Sequence, residues 1–168
     1  MKTVLILRHA KSSWADPLLP DHDRPLNKRG QRTATQMGQL LRKQKLVPEL
    51  ILTSTAKRAR ETAILIAQSS QYNQEIKKTS RLYLATPQVY ISKLSDLSDE
   101  YQRVMVIGHN PGLELLINEL TGCHKTMSTA ALAQVCLSID NWPQILCLND
   151  RSRGQLVQLW QPKELPTQ

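Results

Sequence analysis

Short, unbroken apolar runs alternate along the chain with stretches whose apolar residues recur at helical spacing. Residues 4–7, 50–53 and 104–107 are such runs, and they predict strands that are covered on both faces. The helical stretches that follow them carry apolar residues at Ala34, Met37, Leu40 and Leu41, at Ala59, Ala63, Ile66 and Ala67, and at Leu113, Leu116, Ile117 and Leu120. Alternating strands and helices predict an α/β protein with helices on both faces of a sheet.

The last third of the chain follows a different pattern. Residues 133–139 and 156–160 read as strands that are joined by a polar turn at 149–154, without an intervening helix. Strands connected in this way pair antiparallel. We therefore predict a three-layer α/β/α sandwich with a mostly parallel, mixed sheet. One domain is expected over residues 1–161, followed by a short C-terminal tail at 162–168.

Length and composition narrow the class of protein. A chain of 168 residues suits one core, and no apolar stretch is long enough to cross a membrane. The apolar start of the chain is too short for a signal peptide, so we expect a cytoplasmic protein without a membrane partner. Its three cysteines, Cys123, Cys136 and Cys147, are too widely spaced for a disulfide framework or a zinc site and are expected to be free thiols.

Charge points to an anionic partner. There are 22 basic and 14 acidic residues, giving a net charge of +8. The basic residues are densest at 24–32 and 57–60. Such an excess favours phosphate esters, acidic proteins, nucleic acid or lipid headgroups, without choosing among them.

Candidate chemistry lies at the ends of the three predicted strands. His9 follows Arg8 at the end of the first, His109 follows the strand at 104–107, and Arg58 lies on the helix after the strand at 50–53. The carboxyl ends of strands in an open α/β sheet form the ligand crevice. A single histidine at a strand end is more often structural. The occurrence of all three residues at or just after the ends of three strands, however, predicts that they share a pocket.

The residue types in that pocket suit a phosphoryl group. Arginine presents a planar fork that matches phosphate oxygens, and helix N-termini add backbone amides. We expect Ser54 to be an N-cap and Pro111 to lie in the first turn of its helix. A neutral imidazole attacks phosphorus directly, so neither a metal nor a cofactor is required. His22 and His124 lack this context and are expected at the surface.

Four segments resemble one family. Residues 7–10 (Leu-Arg-His-Ala) resemble the Arg-His-Gly signature of the histidine phosphatase superfamily, to which the cofactor-dependent phosphoglycerate mutases belong. Residues 53–63 resemble its Ser-x-x-x-Arg-Ala-x-x-Thr block, and 106–111 its third block. Residues 8–12 and 21–26 are most similar to the SixA-like phosphohistidine phosphatases. The resemblance covers nearly the whole chain and implies a phosphoglycerate mutase-like fold.

The resemblance also implies roles for the matched residues. His9 would be phosphorylated during the reaction, and inorganic phosphate would be the product. Arg24 would complete the basic pocket, Ser12 would contact the substrate, and Asp21 is a further substrate-binding candidate. The residues implied to grip the phosphoryl oxygens are Arg8, Arg58 and His109.

Two departures from the family pattern matter for the substrate. Ala10 replaces the usual glycine, which SixA-like members tolerate. Residues 81–87 contain no carboxylate, although larger members carry their general acid in this region. Protonation of the leaving group is left to Asp21 or to water. The short segment at 81–103 also provides no lid, so we predict a protein-borne phosphohistidine substrate.

Alternative functions remain open at this point. A phosphatase of the same family acting on small phosphate esters is one. A non-catalytic phosphate- or nucleic-acid-binding module is another, although 4% aromatic residues with no phenylalanine supply few platforms for stacking bases, so no nucleic acid is expected. Two chance signatures are rejected: the Cys-x5-Arg spacing at 147–153 lacks a glycine in its loop, and the Asp-x-Asp pair at 21–23 does not follow a strand.

Overall fold

Strands and helices alternate through the first two thirds of the chain, as the apolar pattern predicts. The computed structural model describes residues 1–151 and 153–165. Within these residues the strands are β1 (Lys2–Arg8), β2 (Leu50–Ser54), β3 (Ile76–Thr79), β4 (Arg103–Gly108), β5 (Leu132–Leu137) and β6 (Gln155–Trp160). The α-helices are α1 (Lys28–Lys43), α2 (Lys57–Ser70), α3 (Pro87–Ser95) and α4 (Gly112–Thr121). Short 3-10 turns occupy Asp21–Asp23, Ser80–Leu82, Trp142–Cys147 and Pro162–Glu164.

The strands form one mixed sheet in the order β3-β2-β4-β1-β5-β6. The first four strands in this order are mutually parallel, whereas β5 runs antiparallel to β1 and β6 antiparallel to β5. The predicted mixed, mostly parallel sheet is therefore confirmed. Its register places Arg8 at the end of β1 beside Gly108 at the end of β4. The residues that follow these two positions consequently emerge side by side.

Two apolar cores cover the two faces of the sheet, which confirms the three-layer sandwich. Along β1, Val4 and Ile6 pack into the core beneath α3 and α4. Leu5 and Leu7 pack into the core beneath α1 and α2. All four side chains are fully buried, as expected for a central strand with a helical layer on each side.

Several local predictions differ from the structure. The strand β3 was not predicted, because Ile76 is its one strongly apolar residue and both lysines of this edge strand are exposed. The 3-10 turn Trp142–Cys147, which lies between β5 and β6 in the chain and buries Trp142, was not predicted. The tail begins with the turn at Pro162–Glu164, and Leu165 packs on the α1/α2 core. The remainder of the predicted tail, 166–168, lies outside the described residues.

The predicted helix starts also need correction. Ala56, not Ser54, occupies the N-cap position of α2, because Ser54 is still part of β2. Pro111 occupies the N-cap of α4 and so lies one position before the first turn. Among the described residues, no helix is long and apolar enough to span a lipid bilayer.

Candidate active site

The two strand-end histidines meet at the carboxyl edge of the sheet. Because Arg8 and Gly108 are paired, the next residues of the two strands are neighbours, and the centroids of the His9 and His109 rings lie 5.1 Å apart. The first turn of α2 brings Arg58 to the same place, where it contacts both rings. The structure therefore brings together the groups that the sequence suggested would share a pocket.

A cavity of about 250 Å³ opens at this edge. It takes in six of the seven predicted site residues, and the seventh, Asp21, pairs with two of its arginines. Five lining residues were not proposed from the sequence: Lys11, Trp14, Leu84, Asn110 and Thr129. The cavity is lined by Arg8, His9, Lys11, Ser12, Trp14, Arg24, Arg58, Leu84, His109, Asn110 and Thr129.

His9 is held as a neutral imidazole with one nitrogen free to react. Its Nδ1 lies 2.8 Å from the carbonyl oxygen of Ala10, so Nδ1 carries the proton and donates it to that oxygen. The other nitrogen, Nε2, accepts a hydrogen bond of 3.3 Å from Nε of Arg58. Burial, helped by the charges of Arg58 and Arg8, lowers the pKa of His9 to about 4. At neutral pH the lone pair on Nε2 is therefore available.

His109 is also buried and neutral. Its Nε2 lies 2.8 Å from the hydroxyl oxygen of Ser54, which fixes the ring plane. Its Nδ1 lies 3.4 Å from Nη2 of Arg58. Burial, followed by its proximity to His9 and Arg58, lowers the pKa of His109 to about 3. Ser54, which was expected to cap a helix, instead positions this ring.

Arg58 connects the groups of the site. Besides both imidazoles, it binds the backbone oxygen of Asp21 at 2.6 Å through Nη1 and a carboxylate oxygen of Asp21 at 3.0 Å through Nη2. The residue is 4% exposed, so its charge acts in a site with little water. A guanidinium held in this way is oriented before any substrate arrives.

Asp21 is the counter-ion of the arginine cluster. Its carboxylate pairs with Arg58 and Arg24 and accepts a hydrogen bond of 2.6 Å from the hydroxyl of Tyr83. The bond from Tyr83, then those from the two arginines, lower the pKa of Asp21 to about 2. An ionised carboxylate has no proton to give. Of the two proton sources left open by the sequence, Asp21 and water, the pKa favours water.

Arg24 enters the cavity because the loop between β1 and α1 folds back on itself. Ser12 and Leu26 form an isolated antiparallel bridge, which encloses this loop. The Arg24 guanidinium lies 3.2 Å from the ring centroid of Trp14, a close cation–π contact. Arg24 is 7% exposed, and its Nε has no hydrogen-bond partner among the described residues. Arg24 thus keeps one buried donor without a partner beside the cavity.

Arg8 completes the basic surroundings of His9. Its Nη1 donates to the carbonyl oxygen of Met127 at 2.9 Å, whereas its buried Nε has no partner among the described residues. Burial lowers the pKa of Arg8, but a guanidinium stays charged at neutral pH. In the described chain, Asp21 is the one carboxylate within 4.0 Å of a cavity arginine, so positive charge is in excess.

Metal ligands do not converge in the described part of the chain. No group of three or more His, Cys, Asp or Glu side chains there has a geometry that could hold a metal ion.

The buried histidines predict a loss of stability in mild acid. Their folded-state pKa values lie below the 6.5 of an ordinary histidine, so the unfolded chain binds protons first as the pH falls. We expect the free energy of unfolding to fall by roughly 2 kcal/mol per imidazole between pH 7 and 5. Urea denaturation at the two pH values measures this loss. The double variant His9→Asn, His109→Asn should lose most of the effect, and a wild-type protein equally stable at both pH values would contradict the neutral assignment.

Fold and site together define a class of protein. A reactive neutral histidine at the end of a central parallel strand, among buried arginines and beside a second histidine, is equipped to bind and transfer a phosphoryl group. The sequence profile of the histidine phosphatase superfamily (branch 1) matches residues 4–83. The chain belongs to the histidine phosphatase superfamily, and it is a phosphatase.

Relatives from two groups of organisms extend the match beyond these residues. An uncharacterized chloroplastic protein of Arabidopsis thaliana is 30% identical over 186 residues, which cover 96% of this chain and 78% of that protein. An uncharacterized protein of Mycobacterium leprae is 37% identical over 119 residues, covering 69% of this chain and 71% of that protein.

Solved structures show the same fold over nearly the whole chain. A SixA protein from Agrobacterium tumefaciens has a TM-score of 0.80 and 28% identity, with 95% of this chain and 97% of that chain covered. The protein histidine phosphatase SixA complexed with tungstate has a TM-score of 0.82 at 24% identity, with 98% and 99% covered. The chain is thus SixA-like in fold, and the predicted phosphoglycerate mutase-like architecture is confirmed.

Proposed function

We propose that this phosphatase works without a metal, through a phosphohistidine formed on His9, and that its substrate is phosphohistidine carried on a protein. The observation that carries the proposal is the state of His9. Its ring is neutral, it is oriented by the Ala10 carbonyl, and its Nε2 faces Arg58. A nucleophile and an anion-binding donor thus meet at one point of the cavity.

The proposed reaction has two displacement steps at phosphorus. In the first, the lone pair of His9 Nε2 forms a bond to phosphorus while the bond from phosphorus to the substrate imidazole breaks. The departing imidazole takes a proton from water. In the second, water attacks phosphorus and gives a proton to the hydroxide left by the first step, the bond to Nε2 breaks and returns its electron pair to His9, and inorganic phosphate leaves. In both steps the arginines stabilise the charge on the equatorial oxygens.

The lack of a protonated carboxyl group supports phosphohistidine over an ester. An alkoxide leaving group needs a proton in the transition state, and a positioned general acid is worth about 10²- to 10⁴-fold. None of the described residues that line the cavity carries a carboxyl group, and Asp21, which pairs with two of its arginines, is ionised. Imidazole is a far better leaving group than an alkoxide, so its loss requires less assistance.

A small phosphate ester is the second candidate substrate. The same three arginines suit any phosphoryl dianion, so ester hydrolysis is expected at a lower rate. We expect kcat/KM to be roughly 10²-fold higher for a phosphohistidine protein than for a sugar phosphate, with nitrophenyl phosphate between them because its leaving group is good. Each rate is measured with and without a chelator.

Two results of this comparison would contradict the proposal. Activity that disappears with the chelator and returns with added metal would exclude the metal-free mechanism. Sugar phosphate hydrolysed as fast as phosphohistidine would mean that an efficient acid is present, and the small-ester function would then be preferred.

A further inference from the structure

Exposed basic residues lie in the segments that adjoin the active-site cavity. Helix α1 begins with Lys28 and Arg29, and α2 begins with Lys57; neither helix has an acidic residue in its first turn. All three side chains are exposed, as is Lys11, which lines the cavity itself. We call these four residues, Lys11, Lys28, Arg29 and Lys57, the basic rim.

Backbone contacts hold the basic rim against the cavity. The amide of Asn27, the N-cap of α1, donates to the carbonyl oxygen of Lys11 at 3.0 Å. The amide of Leu26 donates to the Glu61 carboxylate at 2.7 Å, which joins the start of α1 to α2. One residue after Lys57, α2 places Arg58 inside the cavity. The segments that carry the rim residues thus adjoin the phosphoryl site.

The charges of the basic rim oppose the local electrostatics of the helices. A helix N-terminus is the positive end of the helix dipole, where acidic side chains stabilise and basic ones destabilise. None of the rim residues has an ion pair within 4.0 Å in the described chain. Because these basic side chains cost stability and have no ion-pair partner within the described chain, their placement favours binding to an external anion.

Three carboxylates in the segments next to the basic rim have partners of their own. Asp21 pairs with two buried arginines, Glu61 accepts the Leu26 amide, and Asp23 lies 3.4 Å from His22. None of the three lies within 4.0 Å of a rim cation in the described chain. By contrast, the exposed pair Arg42 and Lys43 lies in the last turn of α1, where basic residues are favourable.

We propose that the basic rim docks an acidic surface of the substrate protein beside its phosphohistidine, an inference that rests on the proposed function. A patch of one sign raises the rate of encounter with a partner of opposite sign and orients it. The depth at which the cavity arginines lie favours a protein partner over nucleic acid. The cavity arginine Arg24 is 7% exposed and packs against Trp14, so it suits a terminal phosphoryl group better than a diester chain.

Two synthetic phosphohistidine peptides test the docking, one flanked by glutamates and the other by lysines. At low ionic strength we expect kcat/KM to be at least about tenfold higher for the acidic peptide, and the ratio to approach one in about 0.5 M salt. The variant Lys28→Glu, Lys57→Glu should reduce the ratio to about one. The matched control Arg42→Glu, Lys43→Glu changes the net charge equally but should keep the wild-type ratio.

Thermal denaturation separates lost docking from misfolding. Glutamate is favourable at a helix N-terminus, so the melting temperature of Lys28→Glu, Lys57→Glu should equal or exceed that of the wild type. The proposal would be overturned if the wild-type ratio of kcat/KM between the acidic and the lysine-flanked peptide stayed near one at low salt. It would also be overturned if this ratio fell equally in both double variants.

Binding distinguishes failure of the docking from failure of the proposed function. If neither peptide is hydrolysed, the proposed function fails, and the affinities of both peptides for His9→Ala still decide the docking. The docking proposal is supported if the acidic peptide binds more tightly than the lysine-flanked peptide and if this difference requires Lys28 and Lys57. Equal binding of the two peptides overturns it. A single-stranded oligonucleotide that displaces the acidic peptide and needs the same two lysines would also overturn it, in favour of nucleic acid.

Discussion

Replacing His9 with alanine should reduce turnover by roughly 10⁴-fold or more, for every substrate that the protein hydrolyses. The variant lacks the Nε2 lone pair that faces Arg58. Steady-state kinetics with a phosphohistidine protein and with nitrophenyl phosphate measure the loss.

Binding of the product should survive the same substitution. Arg8, Arg24 and Arg58 remain in place, so we expect the affinity of His9→Ala for inorganic phosphate to change by no more than about threefold. The variant His9→Asn keeps a donor near the Ala10 carbonyl and serves as a check on folding. His124→Ala removes an exposed histidine and is the matched control. Turnover within tenfold of the wild type in His9→Ala would exclude His9 as the nucleophile.

Replacing Arg58 with alanine should have the second largest effect, a loss of roughly 10³-fold in kcat. Removing one preorganised donor to a developing charge costs about 10²- to 10³-fold, and an arginine that stabilises a phosphoryl transition state is worth more. We expect Arg58 to act in both ways, as a preorganised donor and as a transition-state arginine, because it contacts the proposed nucleophile His9 as well as His109. Arg58→Lys should recover little activity, since one ammonium group cannot replace the fork that holds both rings and Asp21.

The pKa values of the histidines provide a readout that a merely structural role would not move. The charge of Arg58 lowers the pKa of both His9 and His109. Both values should therefore rise in Arg58→Ala, and NMR titration of the ring protons measures the shift. Unchanged pKa values in a folded variant, or activity restored by lysine, would contradict the assigned role.

The central part of the fold could be predicted from the sequence because its signals are local and strong. Buried parallel strands such as β1 and β4 are apolar on both faces and appear as unbroken runs. Strand β3 gives no such signal, because it is a short edge strand with two exposed lysines. Its pairing with β2 depends on the sheet rather than on its own residues.

The site shows the same division between local and tertiary information. The positions of His9 and His109 were predictable because each directly follows a strand end, and that of Arg58 because it lies on the helix after β2. The contact between Arg24 and Trp14 was not, because the loop must fold back through the pairing of Ser12 with Leu26. Likewise, Tyr83 reaches Asp21 across 62 positions of sequence.

The phosphorylated intermediate on His9 is the central claim, and rapid quenching tests it most directly. The wild-type enzyme is mixed with a substrate labelled in its phosphoryl group and quenched within a single turnover. We expect label on the protein that is stable in alkali, is lost in acid, maps to His9 and is absent from His9→Asn. Quenched enzyme that turns over substrate but carries no label, or carries it on another residue, would contradict this mechanism.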